Sequence, residues 1–177
     1  MQLIKKIWFK FQVWKAGSYN LAKVYHKYLS VEFGKNVRIT GKDTNFGSEP
    51  YLIRIGSNVT ITGGVIFETH DGGVGLFREE FPGINVFGRI LVGNNVFIGH
   101  HAIIMPGVTI GDNVVIGAGS IVTRDIPAGV VAVGVPAKSV KSISEYKEKI
   151  LKHAVMIEAK GEKQRKIEIL KKLGKNN

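Results

Sequence analysis

One short segment of the chain, Glu68-Thr69-His70-Asp71-Gly72-Gly73, carries side chains that could move a proton. Imidazole is the side chain whose ordinary pKa lies nearest neutrality. A positioned histidine can therefore take a proton from a hydroxyl while that oxygen attacks an electrophile. Glu68 stands two residues before His70, on the same face if the segment is extended, and is expected to orient the ring. Downstream lie Asp71, Arg78, Glu79 and Glu80, whose charges suit contacts to the hydroxyls of a polar acceptor. The sequence contains no cysteine, which excludes disulfides, thiolate metal sites and a thiol nucleophile. His100 and His101 are adjacent, and on a strand they would point to opposite faces, so they cannot act as a pair on one substrate. With His70 they raise a zinc reading. Neighbouring strand residues cannot both converge on one ion without a bulge, and no metal is expected.

These residues need a scaffold, and the sequence supplies a repeat. Aliphatic residues fall at Val92, Ile98, Ile104, Ile110, Ile116 and Val122, and a second small or apolar set runs in step at Val96, Ala102, Val108, Val114, Ser120 and Ile126. A period of six scatters around a helix but fits a short strand followed by a tight corner. Glycine follows four of the six aliphatics (Gly93, Gly99, Gly111, Gly117), which reads as backbone freedom at the corner. Three sides close a triangular coil. Ile98 should then stack over Ile116, Val92 over Ile110 and Ile104 over Val122, in an all-β solenoid. The same phase starts at Ile55 and Ile61 and breaks between Val65 and Leu91, so residues 70–90 are expected to leave the rod as a surface loop.

The run from Val92 through Asp125-Ile126-Pro127, closed by Val133-Gly134-Val135-Pro136-Ala137-Lys138, resembles the hexapeptide-repeat acyltransferases, most nearly the galactoside, maltose and xenobiotic O-acetyltransferase branch. The resemblance covers about residues 50–143. It implies a left-handed parallel β-helix, a homotrimer with active sites between subunits, and acetyl-CoA as donor. The Thr-His that leads into the family's protruding loop matches Thr69-His70, so His70 is the implied general base toward a saccharide hydroxyl. In the relatives, backbone amides of a Gly-Ala-Gly-Ser turn hold pantetheine, which implies Ala118 and Gly119, with Thr123 and Arg124 at the next corner. Basic residues after the Gly-x-Pro closure, here Lys138 and Lys141, are implied for the CoA phosphates. Asn45 is expected among the acceptor contacts by its likeness to an Asn-Phe of the galactoside enzyme. An amino-sugar acceptor and a non-catalytic trimeric scaffold at a membrane surface remain as alternatives.

Charge separates the ends from the body. Residues 1–34 carry six lysines against Glu32, residues 138–177 carry twelve basic residues against five acids, and residues 35–137 carry seven against eight; the whole sums to +11. The expected organisation is therefore a basic amphipathic segment over 1–34, a β-helix over 35–137 and a basic helical segment over 138–177. Residues 1–30 alternate Lys with Ile, Trp, Phe and Tyr and permit a helix broken near Gly17, of a kind that suits an anionic membrane surface. Ser142 and Glu145 should open a second helix over 142–160, with Ile143, Tyr146, Ile150, Ala154 and Ile157 as its stripe. No apolar stretch is long enough to span a bilayer. The reading is a cytoplasmic protein, peripheral at the inner membrane surface. The charge avoids the folded body and no nucleic-acid motif occurs, so no nucleic acid is expected as partner.

Overall fold

The structure is a computed structural model that describes residues 2–174. Residues up to Ile143 form one compact unit and those from Ser144 onward a second. The first opens with helices α1 (Gln2–Lys15) and α2 (Leu21–Leu29). Eleven short strands follow, and they assemble into three parallel sheets. The first sheet holds β1 (Glu32–Phe33), β3 (Ile53–Ile55), β6 (Ile90–Val92) and β9 (Thr109–Ile110). The second holds β2 (Arg38–Ile39), β4 (Thr60–Ile61), β7 (Phe97–Ile98) and β10 (Val115–Ile116). The third holds β5 (Ile66–Phe67), β8 (Ile103–Ile104) and β11 (Ile121–Val122). Strands this short have no stability alone; each coil is stable because its aliphatics bury against the next.

The observed registers are those the period of six requires: Ile98 pairs with Ile116, Val92 with Ile110 and Ile104 with Val122. All six primary aliphatics are buried, and so are their partners from Val96 to Ile126. Each buried Val or Ile among them contributes about 1.5–3 kcal/mol of hydrophobic stabilisation. Below this run the pairs Ile55–Val92, Ile61–Ile98 and Phe67–Ile104 are each 37 residues apart. That is one eighteen-residue coil plus a nineteen-residue insertion, and the stacking continues undisturbed on both sides of it.

Glycine has a different task from the one its position in the repeat suggested. Gly93, Gly99, Gly111 and Gly117 do not adopt positive φ. A Cβ on Gly99 would lie 2.5 Å from the amide nitrogen of Ala118, and one on Gly111 2.6 Å from that of Ala128. Close approach of stacked backbones, and not turn freedom, excludes a side chain there. Left-handed corners are taken by His101, by glycines outside this set such as Gly64, Gly107 and Gly119, and, in one column, by Asn36, Asn58, Asn95 and Asn113. Their amides form rungs between coils: Asn36 Nδ2 donates to Asn58 Oδ1 at 2.9 Å, and Asn95 Nδ2 to Asn113 Oδ1 at 2.7 Å. Asparagine tolerates this conformation because its short polar group can bond locally.

At the N-terminal end, α2 closes the rod. Leu21, Ala22 and Tyr25 are buried against the first coil. The Tyr25 ring packs 4.9 Å from Phe46, which stacks 5.2 Å over Phe67. Burial, with the charge of Asp43 second, pushes the Tyr25 phenol up to about 12. At the other end, β12 (Val130–Gly134) joins the second sheet and β13 (Ala137–Ser142) returns along it antiparallel. Both expected boundaries therefore move: sheet structure starts at Glu32, inside the segment 1–34, and residues 138–142 are strand, because hairpin bonds to β12 claim the backbone that a helix would need. In the second unit, α3 (Ile143–Leu151, begun at the last residue of the first) stops well short of residue 160, and α4 (Glu162–Leu173) follows. Glu168 on α4 accepts from the Ala159 amide at 2.8 Å and pairs with Lys172 at 2.8 Å. The Lys172 bond first, then the Ala159 amide, lower its carboxyl to about 2.

Candidate active site

After Phe67 the chain keeps strand alternation for three more residues. Phe67 and Thr69 point inward and are fully buried, while Glu68 and His70 are only partly covered. His70 then pairs with Phe87 in an isolated antiparallel bridge, the Asp71 amide donates to Val86 O at 2.9 Å, and that of Gly88 to Thr69 O at 2.9 Å. These bonds pinch the neck of the loop. Beyond the neck the chain turns through a 3-10 helix over Gly72–Phe77, capped by Asp71 Oδ1, which accepts from the Gly73 amide at 2.8 Å. Arg78, Glu79 and Glu80 lie exposed after it.

Glu68, expected to orient the imidazole, is not the residue at its Nδ1; that place belongs to Ser48 and Glu49 of the preceding coil. His70 Nδ1 lies 3.0 Å from Ser48 Oγ and 3.3 Å from Glu49 Oε2. The Ser48 hydroxyl donates to Glu49 Oε2 at 2.9 Å, and the buried Thr69 hydroxyl donates to the same oxygen at 2.8 Å. Thr69 Oγ1 also accepts from the Glu49 amide at 3.2 Å. With the serine proton already committed, the oxygens around Nδ1 can only accept. The network therefore assigns the proton to Nδ1 and leaves the Nε2 lone pair unprotonated. Among the described residues Nε2 has no hydrogen-bond partner, and the His70 side chain is 39% exposed against 19% for Glu49, so the ring is the more open of the two. The Thr69 hydroxyl, ahead of Ser48 and His70, holds the Glu49 carboxyl below the usual carboxylate range. This acceptor–imidazole pair is the arrangement that fixes a tautomer and steadies a developing imidazolium.

Asn45 has a local task here. Its Oδ1 accepts from the Gly47 amide at 2.9 Å, and Gly47 adopts φ +67°. That turn brings Ser48 and Glu49 to the histidine. A Cβ on Gly47 would sit 2.7 Å from Thr69 Oγ1, so glycine is required by space as well as by φ.

The other expected residues lie along the third sheet and its neighbours. The pairing of Phe67 with Ile104 and of Ile104 with Val122 puts Thr123 in the column of Glu68, and Arg124 in that of Thr69, two coils on. Ala118 and Gly119 sit at the opposite edge of that sheet, one coil beyond His100 and His101. The Gly119 amide donates to His100 O at 2.7 Å and is committed within the rod. Among the described residues the Ala118 amide has no backbone partner, so of the two it is the one left to serve a ligand. Lys138 and Lys141 stand on β13, opposite Val133 and Val131.

The two neighbouring histidines occupy a turn, not a strand. His101 takes φ +57° in the column of Gly64 and Gly119, His100 Nδ1 bonds Gly63 O at 3.2 Å, and both rings are exposed. Strand alternation therefore does not separate them; their ring centroids are 6.3 Å apart. Among the described residues, no group of three His, Asp or Glu side chains is placed to hold a metal ion.

Comparison with known proteins agrees with the repeat fold. The family model described as "Bacterial transferase hexapeptide (six repeats)" matches residues 89–124. Protein CapG of Staphylococcus aureus is 48% identical over 158 residues, which span 89% of this chain and 92% of that one. The chain belongs to the hexapeptide-repeat acyltransferases. The left-handed β-helix of this family is thus its fold. Galactoside O-acetyltransferase of Escherichia coli K12 is 43% identical over 64% of this chain and 57% of its own length. A solved galactoside acetyltransferase in complex with coenzyme A superimposes with a TM-score of 0.61 at 30% identity, covering 90% of this chain and 87% of that one. No helix among the described residues is long and apolar enough to cross a membrane.

Proposed function

We propose that this acyltransferase moves an acetyl group from acetyl-CoA to a hydroxyl of a saccharide, with His70 as general base. The observation that carries the reading is the part-exposed imidazole whose Nδ1 is held by Ser48 and Glu49 while Nε2 has no partner among the described residues. As the acceptor oxygen attacks the thioester carbon, its proton passes to Nε2. Collapse of the tetrahedral intermediate breaks the C–S bond, and the same proton leaves with the thiolate as CoA-SH. Backbone amides serve the developing oxyanion, a role worth about 10²–10³-fold per donor. A positioned base contributes about 10²–10⁴-fold.

For the donor, the reading assigns the Ala118 amide with Thr123 and Arg124 to the pantetheine groove, and Lys138 and Lys141 to the phosphates. For the acceptor it assigns Asp71, Arg78 and Glu79 on the loop. The working unit is a homotrimer. Support for this comes from the loop, where Leu76, Phe77 and Phe81 are 86%, 52% and 54% exposed and would be covered by a neighbouring subunit. The test is His70→Ala with CoA release measured in the presence of an accepted sugar. Folded protein with turnover reduced at least about a hundredfold is expected; unchanged turnover refutes the assignment.

A further inference from the structure

A surface helix of a globular protein has one apolar stripe, turned to the core, and a polar back. Helix α1 has two. Phe9, Val13 and, just beyond the helix, Ala16 pack against the core cluster, and Phe9 meets Tyr28 at 5.4 Å and Tyr25 at 6.1 Å. At 100° per residue, Ile4, Ile7, Trp8, Phe11 and Trp14 form a second stripe on the opposite side. These five are 73%, 61%, 53%, 43% and 69% exposed. The rings on this stripe are continuous, with Trp8 5.6 Å from Phe11 and Phe11 6.0 Å from Trp14. Lys15 falls within this stripe and Lys10 borders it, Lys5 and Lys6 lie on the two sides of the helix between the stripe and the core face, and α1 contains no acidic residue.

We propose that this outer face of α1 docks the protein on an anionic phospholipid surface. Exposed indole and phenyl rings beside lysines match the interfacial zone, where amphipathic rings sit at headgroup level and ammonium groups meet lipid phosphates. The charge selects against a second copy of the chain as occupant. Residues 1–34 sum to +5 and 138–177 to +7 against −1 between them, so another copy, at +11 overall, is repelled by these lysines and not drawn to them. The α4 helix also exposes apolar residues among lysines, but it carries Glu162 and Glu168 on the same twelve residues. Acyl transfer is not a premise of this proposal, because lipid binding is read without turnover.

The sequence provides its own probe, since Trp8 and Trp14 are its only tryptophans. Full-length protein is titrated with phosphatidylglycerol–phosphatidylcholine vesicles and with phosphatidylcholine alone, following tryptophan emission and vesicle flotation. A blue shift and co-flotation with the anionic vesicles, weakened by salt, are expected. Trp8→Ser with Phe11→Ser leaves Trp14 as reporter on side chains that already face outward, and should weaken binding at least about tenfold. Lys5→Glu with Lys6→Glu should weaken it by a comparable factor. Three results overturn the proposal: no spectral change with any vesicle, undiminished binding by the Trp8/Phe11 variant, or loss of the assembled state in that variant without vesicle binding in the parent.

Discussion

Thr69→Val tests the support of the histidine without touching the histidine. Valine reproduces the shape of a fully buried threonine but removes its hydroxyl. Two bonds go: the donation to Glu49 Oε2 at 2.8 Å and the acceptance from the Glu49 amide at 3.2 Å. A hydrogen bond to a charged group contributes about 1.5–3 kcal/mol and a neutral one about 0.5–1.5; water can reach the Glu49 side, so the low end applies, about 2 kcal/mol together. The larger consequence is kinetic. With Glu49 freed from Thr69, the Nδ1 tautomer rests on Ser48 and a less firmly placed carboxylate, and kcat/KM should fall about tenfold, less than for loss of the proposed base itself. The pH dependence has a definite sign. A carboxyl held low in the folded state stabilises above its unfolded pKa, and that contribution disappears as pH falls through the folded value. The Thr69 hydroxyl is the largest cause of the depression, so in the variant this contribution is smaller and its loss on acidification is complete at a higher pH. Nitrogen NMR of the histidine rings reads the tautomer without any acceptor, and CoA release reads the rate. A variant with the parental tautomer, pH profile and rate refutes the reasoning.

Other substitutions probe the scaffold and the donor groove. Gly99→Ala places a methyl 2.5 Å from the Ala118 nitrogen and should cost about 1–3 kcal/mol in urea unfolding. Gly119→Ala meets nothing within 4 Å and should cost only the about 1–2 kcal/mol of its left-handed φ. Asn95→Ala loses the 2.7 Å rung to Asn113 and strains the same kind of corner, so it should destabilise more than Asn95→Gly in the same assay. Lys138→Glu with Lys141→Glu should weaken acetyl-CoA binding by calorimetry about tenfold, with unfolding unchanged. In the second unit, Glu168→Gln removes a carboxylate held at about 2, whose stabilisation is lost only as pH falls through that value; hydrogen exchange at the Ala159 amide should accelerate at neutral pH.

The rod was legible because its physics is local and periodic. One aliphatic every sixth residue specifies the stacking of Ile98 on Ile116 and disfavours any slip that is not a multiple of six, because such a slip turns polar residues inward. The first coil was not legible by the same rule. Phe33 pairs with Ile55 and Ile39 with Ile61, 22 residues apart, so the count of six fails there. The same offset brings Ser48 beside His70, and this is why sequence spacing pointed to Glu68 and missed Ser48 and Glu49. A signal existed in principle, since counting 22 back from His70 lands on Ser48, but using it requires knowing that the first coil is longer. The repeat glycines were legible as positions and misread as to cause, because a sequence does not record how near the next coil's backbone comes. The strand over Ala137–Ser142 was hidden for a related reason: Lys-Ser-Val-Lys-Ser has weak preferences of its own, and its partner at β12 decides.

The nineteen-residue insertion has a bearing on how such enzymes diversify. Val92 rests on Ile55 as squarely as Ile110 rests on Val92, so the foundation below and the storeys above do not register what is hung between them. Length and chemistry of that appendage can drift under selection for a new acceptor while the load-carrying wall stays as it was. The imidazole sits at the hinge of the two regimes, anchored in the part that must not change and addressed to the part that can.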